Sequence, residues 1–450
     1  MLIALYAKTL LAQPLDRHLY APQNSFIAVA VTSVGLAASL LLVRYLRVGR
    51  PVFHGVTDTR FLGFLSWSCF GLGALFWLLN RWFQDPSGSG FGGMALFRDL
   101  LLMAVIARTA MLLERTECHR SFDGRLGLIL GSSVFLGLID NSKTLAALPV
   151  VSYFATVLFY RRGLPVHAAV ILVIGGVLFA GIVAPVVHAL RALGQQEMSV
   201  DQRIDFITFN ATRVLEAPQE FDRLAEIAAG RFEYGYYDYF GASGAGQMLL
   251  GRYASVQQID PVIAQVDLQG TYGGAAIWPG LVRLIPSSLY AGKPEYTEAY
   301  NTLVHYGLIH PDGGKFPTVP LAGQAYAGYE FGGLMIIPVL TFFAFLLIVK
   351  KLGWQLYRNV YAIFFFCTFV IVYASQGDFG QYMVATFRNF PLFAVVFWLL
   401  ARCYRLRPRR RSLSHWLYLD RAPADRRSIL PRTDSNSLVH DRGTLPHSHL

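Results

Sequence analysis

About nine runs of mostly apolar sequence dominate this 450-residue chain, at residues 25–43, 61–80, 92–113, 126–141, 145–160, 166–189, 332–349, 359–375 and 386–402. A bilayer core is crossed by about 20 apolar residues in a helix, and within it only helices and closed barrels satisfy every backbone hydrogen bond. Runs of this length and continuity predict helices. The chain is therefore read as an all-α polytopic membrane protein with about nine transmembrane helices. Two of the runs, 126–141 and 145–160, are short and separated only by Asn141-Ser-Lys143-Thr. They read as a tight helical hairpin or as re-entrant segments. Bulk composition agrees: mean hydropathy is +0.41, and 15% of residues are charged, against about 25% in soluble domains.

The connections alternate in charge. Arg44, Arg47, Arg50 and Arg60 follow the first run, and Arg115, Arg120 and Arg125 the third. Arg161 and Arg162 follow the fifth, Lys350, Lys351 and Arg358 the seventh, and Arg402 to Arg411 the ninth. Residues 81–91, 139–144 and 375–386 between them are charge-poor. Lys and Arg mark the cytoplasmic side. The alternation puts the N-terminus and one large loop, between spans 6 and 7, on the outer face. The net charge of +11 then reads as a topology signal, with no nucleic-acid partner. Residues 1–190 form an N-terminal membrane domain of about six spans, 191–331 the outer loop, 332–402 a C-terminal membrane domain of about three spans, and 403–450 a basic cytoplasmic tail. The tail is rich in Arg, Ser, Pro and His, too polar to bury a core of its own, and reads as disordered. Met1 to Leu11 lacks a basic lead and is interrupted by Lys8, so it does not read as a signal peptide. Four scattered cysteines show no CxxC or Cys/His cluster, and no cofactor or metal is implied.

Within the loop, 200–215 and 219–229 carry apolar residues at helical spacing. Phe232 to Phe240 interleaves aromatic rings with carboxylates, a pattern suited to stacking on sugar faces, though interface packing explains it as simply. Arg252 to Ile263 reads as a helix and turn. Gly270-Thr-Tyr272 follows, then apolar Ile277 to Ile285, read as a half-inserted helix ending at Pro286. Tyr290, Lys293 and Pro294 come next, then Asn301, His305 and His310 on a polar loop, and residues 317–330 lead into the seventh span.

The order Arg252, Gly270-Thr-Tyr272, Arg283-Leu-Ile-Pro286, Lys293-Pro294, Asn301, Thr318-x-Pro320, then Tyr326 close to Glu330-Phe-Gly-Gly333 resembles the oligosaccharide repeat-unit polymerases, the O-antigen or Wzy-type enzymes of bacterial envelopes. The resemblance covers about 80 residues. Gly323-Gln324-Ala-Tyr326 departs from it where relatives have Gly-Glu before the Tyr. It implies a metal-independent glycosyltransferase in the cytoplasmic membrane that moves a growing glycan from a polyprenyl-pyrophosphate carrier onto a second lipid-linked repeat unit, building O-antigen, capsule or exopolysaccharide. A chain-length regulator and a flippase are the implied protein partners.

Such chemistry needs cations for the departing pyrophosphate, because the guanidinium fork binds phosphate oxygens bidentately and stays charged near lipid. Arg252, Arg283 and Lys293 are the loop candidates. Arg98 and Arg388, near outer ends of spans, are candidates from the bundle, with snorkelling or an ion pair (Arg98 with Asp99) as the plainer explanation. Arg108 reads as snorkelling towards the cytoplasm. Glu330, His305, Asp260 and Asp378 are alternative bases. Tyr272, Tyr290, Asn301 and Tyr326 are candidate substrate contacts. An O-antigen ligase-like enzyme shares the leaving group and topology. A transporter of lipid-linked glycan would be expected to show internal repeats, which this sequence lacks.

Overall fold

A computed structural model describes residues 8–9, 12–83, 96–140, 142–161, 163, 166–183, 185–187, 189, 200–217, 219–220, 255–285, 290, 297–309, 319–353, 355–370 and 377–406. Among the described residues every regular element is helical. Those up to Arg405 form one compact unit. Four helices are long and apolar enough to cross a membrane: α1 (Pro22–Tyr45), α2 (Thr59–Trp82), α11 (Leu321–Gly353) and α13 (Phe379–Leu406). Between them lie α3 (Leu100–Arg115), α4 (Gly124–Ile139), α5 (Lys143–Arg161), α6 (Val166–Leu178), α7 (Val200–Glu216), α8 (Ser255–Gln269), α9 (Trp278–Val282), α10 (Glu298–His305) and α12 (Val360–Phe365). The apolar lengths make this a multi-pass membrane protein.

The centre of the bundle is α3. Every residue from Leu100 to Leu113 is buried, as expected of a helix that is apolar all round. Helix α2 packs along α3, and α1 along α11. The α12–α13 contact is a ladder of phenylalanines, with Phe369 on Phe390 (ring centroids 4.1 Å apart), Phe365 on Phe390 (5.0 Å) and Phe364 on Phe393 (5.0 Å), mostly edge to face. Without water to drive association inside a bilayer, this close side-chain packing is what holds the helices together.

At one end of the bundle, polar side chains tie helix termini to one another. Lys350 Nζ donates to the carbonyls of Val43 (2.6 Å), Arg44 (3.1 Å) and Leu46 (2.9 Å), closing the C-terminus of α1. Asp58 caps α2 through the Arg60 N–H (2.9 Å) and accepts from the Tyr404 hydroxyl (3.2 Å) at the end of α13. Arg108 does not snorkel. It is 6% exposed and bonded to Asp123, the N-cap of α4.

Helices α8, α9 and α10 gather at the other end, called here the loop face. Asp260 of α8 accepts from the Tyr20 N–H (2.6 Å), the Ala21 N–H (2.9 Å) and the Ser25 hydroxyl (2.8 Å), fastening α8 over the start of α1. Helix α11 is two helices joined at a break. Tyr329 (φ −153°, ψ 28°) and Glu330 (φ 50°, ψ −137°) leave helical geometry. The break releases the Ala327 carbonyl, which accepts from the Tyr272 N–H at 2.8 Å. Residues 321–328, read from sequence as an irregular lead-in, are a fully buried helical segment. Asn301 and His305, expected on a loop, lie on α10. The last span begins at Phe379, seven residues before the sequence reading placed it, so Arg388 lies well inside the helix, in a π turn at Ala385–Asn389.

Candidate functional site

The first three backbone N–H groups of α13 have no partner within the helix. Three side chains from three parts of the chain supply acceptors. Gln324 Oε1, from the buried segment 321–328, accepts from Phe379 N at 2.6 Å. Glu298 Oε1, at the start of α10, accepts from Gly380 N at 2.6 Å. Asp378, the N-cap, accepts from Gln381 N at 2.6 Å. One polar knot thus joins the loop-face helices to the last membrane helix, and the positive end of the helix dipole offsets part of the cost of burying two acids there.

The acids are deeply buried: Glu298 is 0% and Asp378 1% exposed. Arg283, just past α9, answers both. Its Nη1 lies 3.4 Å from Glu298 Oε2 and 4.0 Å from Asp378 Oδ1, and its side chain is 27% exposed. The guanidinium therefore spans the interior and the surface. Burial pushes the Asp378 carboxyl well above the usual carboxylate range. The Glu298 charge and a hydrogen bond from Glu298 push the same way, against the Gln381 N–H and Arg283. The local charge balances when one carboxyl keeps its proton.

Two glycines make the knot sterically possible. A Cβ on Gly280 would lie 2.9 Å from Phe379 Cδ1 and 3.0 Å from Gly380 N, and one on Gly380 would overlap the Glu298 carboxylate. On its other side α9 exposes Trp278, Leu281 and Ile285, an apolar face next to Arg283.

Of the residues the sequence pointed to, the fold brings Arg283 and Asp378 together. Arg252 and Lys293 lie outside the described residues, as does the aromatic stretch 232–240. His305 is exposed and stacks on Tyr272 (centroids 4.0 Å apart, 22° between planes). Asn301 is half-buried on the same helix, and Tyr290 is exposed. Tyr326 is 2% exposed and donates to Asp267 Oδ1 at 2.7 Å. Glu330 is exposed at the break in α11. Arg388 is exposed, with its Nε 3.2 Å from Asn389 Oδ1. Arg98 pairs with Asp140 at 2.5 Å, not with its neighbour Asp99, and Trp77 Nε1 donates to the same carboxylate at 3.0 Å. Asp260, considered as a base, is held by its three donors, and its burial raises it against their pull. Among the described residues no group of three or more His, Cys, Asp or Glu side chains is placed to hold a metal ion.

Sequence reasoning missed Glu298 and Gln324. Both sit in short polar stretches with nothing unusual nearby, and only the return of the chain at Phe379 gives them partners. The one available hint was a Thr297-Glu298 pair opening a helix, a common capping pattern. No protein-family model, no curated protein and no solved structure matches this chain.

Proposed function

We propose that the chain is a nine-pass glycosyltransferase of the bacterial cytoplasmic membrane, with its large loop on the outer face, that polymerises polyprenyl-pyrophosphate-linked repeat units into a surface polysaccharide. The observation that carries this reading is Arg283. It is a part-exposed guanidinium, braced by two buried carboxyls at the start of a membrane helix, beside the exposed apolar face of Trp278, Leu281 and Ile285. That combination suits an anion attached to a lipid tail. In the reaction the acceptor hydroxyl oxygen bonds to the anomeric carbon of the donor sugar. The bond from that carbon to the pyrophosphate oxygen breaks, and its electron pair leaves with the carrier. Arg283 stabilises that developing charge, and Lys293 and Arg252 are proposed to share the task. The acceptor proton passes to Glu330 or His305, the two base candidates exposed at the loop face.

The test is a gel of lipid-linked and surface glycans from a deletion strain carrying no gene, the wild-type gene, or Arg283→Ala. Wild type restores a ladder where the deletion shows a single capped repeat. Arg283→Ala, present in the membrane at normal level, lowers polymer by about 10²–10³-fold, the usual cost of losing one such donor. Full-length polymer accumulating on the carrier in the deletion would replace this reading with a ligase. An unchanged ladder would refute both.

A further inference from the structure

We propose that Glu298 and Asp378 are positioning residues that share a single proton, and that this proton keeps Arg283 turned towards the substrate pyrophosphate. The inference rests on the reading of Arg283 given above. Its basis is geometric: two carboxyls, both at least 99% buried, meet one guanidinium at 3.4 and 4.0 Å. With both carboxyls ionised, the buried site carries one more negative than positive charge. The guanidinium is then drawn inward, and an incoming pyrophosphate meets a net anion. With one proton present the set is neutral. Glu298 then keeps its bond to Gly380 N while Arg283 presents its outer edge.

The charged groups facing the pair are few. Among the described residues, α9 offers Arg283, and α10 offers Glu298 itself. His305 lies two turns further along α10, stacked on Tyr272. Segment 321–328 carries no charge there. Its Gln324 amide faces the pair, its Oε1 is already bonded to Phe379 N, and its Nε2 is buried without a partner among those residues. Helix α13 offers Asp378, with Arg388 ten residues on. No second cation on these elements is in ion-pair contact with either carboxyl.

The sign follows from the direction of the Asp378 shift. Its carboxyl is raised in the folded protein, so the proton is held at low pH and lost as pH rises through the folded value. Transfer activity should therefore fall on the alkaline side. Both Glu298 and Asp378 act through Arg283, and neither need touch substrate.

The experiment uses the purified full-length protein in liposomes in two parts. The first is an infrared pH titration of wild type and Asp378→Asn without substrate, following the carbonyl stretch of a protonated carboxyl. A band that disappears on the alkaline side in wild type and is missing in Asp378→Asn supports the shared proton. Absence of the band in wild type overturns it, whatever the protein transfers. The second part is the pH profile of transfer with lipid-linked repeat units. Asp378→Asn fixes the site in its neutral state, so its alkaline limb should vanish or move up by at least about one pH unit, a tenfold change in the proton equilibrium. Glu298→Gln, which keeps the acceptor for Gly380 N, should lose the limb as well. An alkaline limb identical to wild type in both variants overturns the inference. A titrating band combined with full transfer by Arg283→Ala would leave the proton pair standing and refute the function instead.

Discussion

Replacing Gly380 by Ala tests the polar knot at the start of α13 in one step. The added methyl would occupy the space of the Glu298 carboxylate, which must move or lose its bond from Gly380 N. Breaking a hydrogen bond to a charged acceptor costs about 1.5–3 kcal/mol. Forcing one methyl into a filled site costs about 1–3 kcal/mol. Alanine recovers about 0.5–1 kcal/mol over glycine in a helix. The balance is a loss of about 3 kcal/mol. In detergent this should lower Tm by about 5 °C, because each kcal/mol moves a large chain by about 2 °C. The decisive comparison is a double-mutant cycle with Glu298→Ala. That change alone leaves Arg283 and Asp378 without their partner and should cost about 3–5 kcal/mol. Once the carboxylate is gone, the Gly380→Ala methyl has room and no bond to break, so adding it should be neutral or slightly stabilising. The two changes should therefore be coupled by about 3 kcal/mol. Additive losses, or a Gly380→Ala protein as stable as wild type, would refute the contact between Gly380 and Glu298 and with it the bracing of Arg283.

Three further outcomes are expected. Asp123→Ala strands Arg108, whose side chain is 7% exposed, whereas Arg108→Met strands a carboxylate that is 30% exposed; thermal melts should find the first worse by about 2 kcal/mol or more. Glu330→Gly relieves a non-glycine residue at φ 50°, ψ −137° and should stabilise the protein by about 1 kcal/mol in the same assay. A reporter fused at residue 240 should read as outside the cytoplasm, and a cytoplasmic signal there would overturn the orientation together with the proposed donor site.

The membrane class was legible because it depends on local chemistry. Runs such as 25–43 and 332–349 have no other stable fate in lipid than a helix, whatever packs beside them. Helical spacing also located α7 within 200–215. Boundaries set by tertiary contact were less accessible. The last span starts at Phe379 because Gln324, Glu298 and Asp378 accept its first N–H groups, and two of those acceptors are 55 and 82 residues away in sequence. The break in α11 is invisible in a run that is apolar on both sides, since the Tyr272 N–H that takes up the Ala327 carbonyl comes from another segment.

The candidate site divides along the same line. An arginine in Arg283-Leu-Ile-Pro286 stood out as a cation next to apolar sequence, and Asp378 as an acid at the edge of a span. Arg98, by contrast, was paired with the adjacent Asp99, where the fold pairs it with Asp140. The sequence by itself determined that this chain must bury its backbone in apolar helices, because that requirement follows from side-chain hydropathy alone. Which acid neutralises which arginine was decided only by the tertiary structure. Ion pairs are set by distances of 3 to 4 Å in space, and the chain brings Arg283, Glu298 and Asp378 within that range only when α9, α10 and α13 meet.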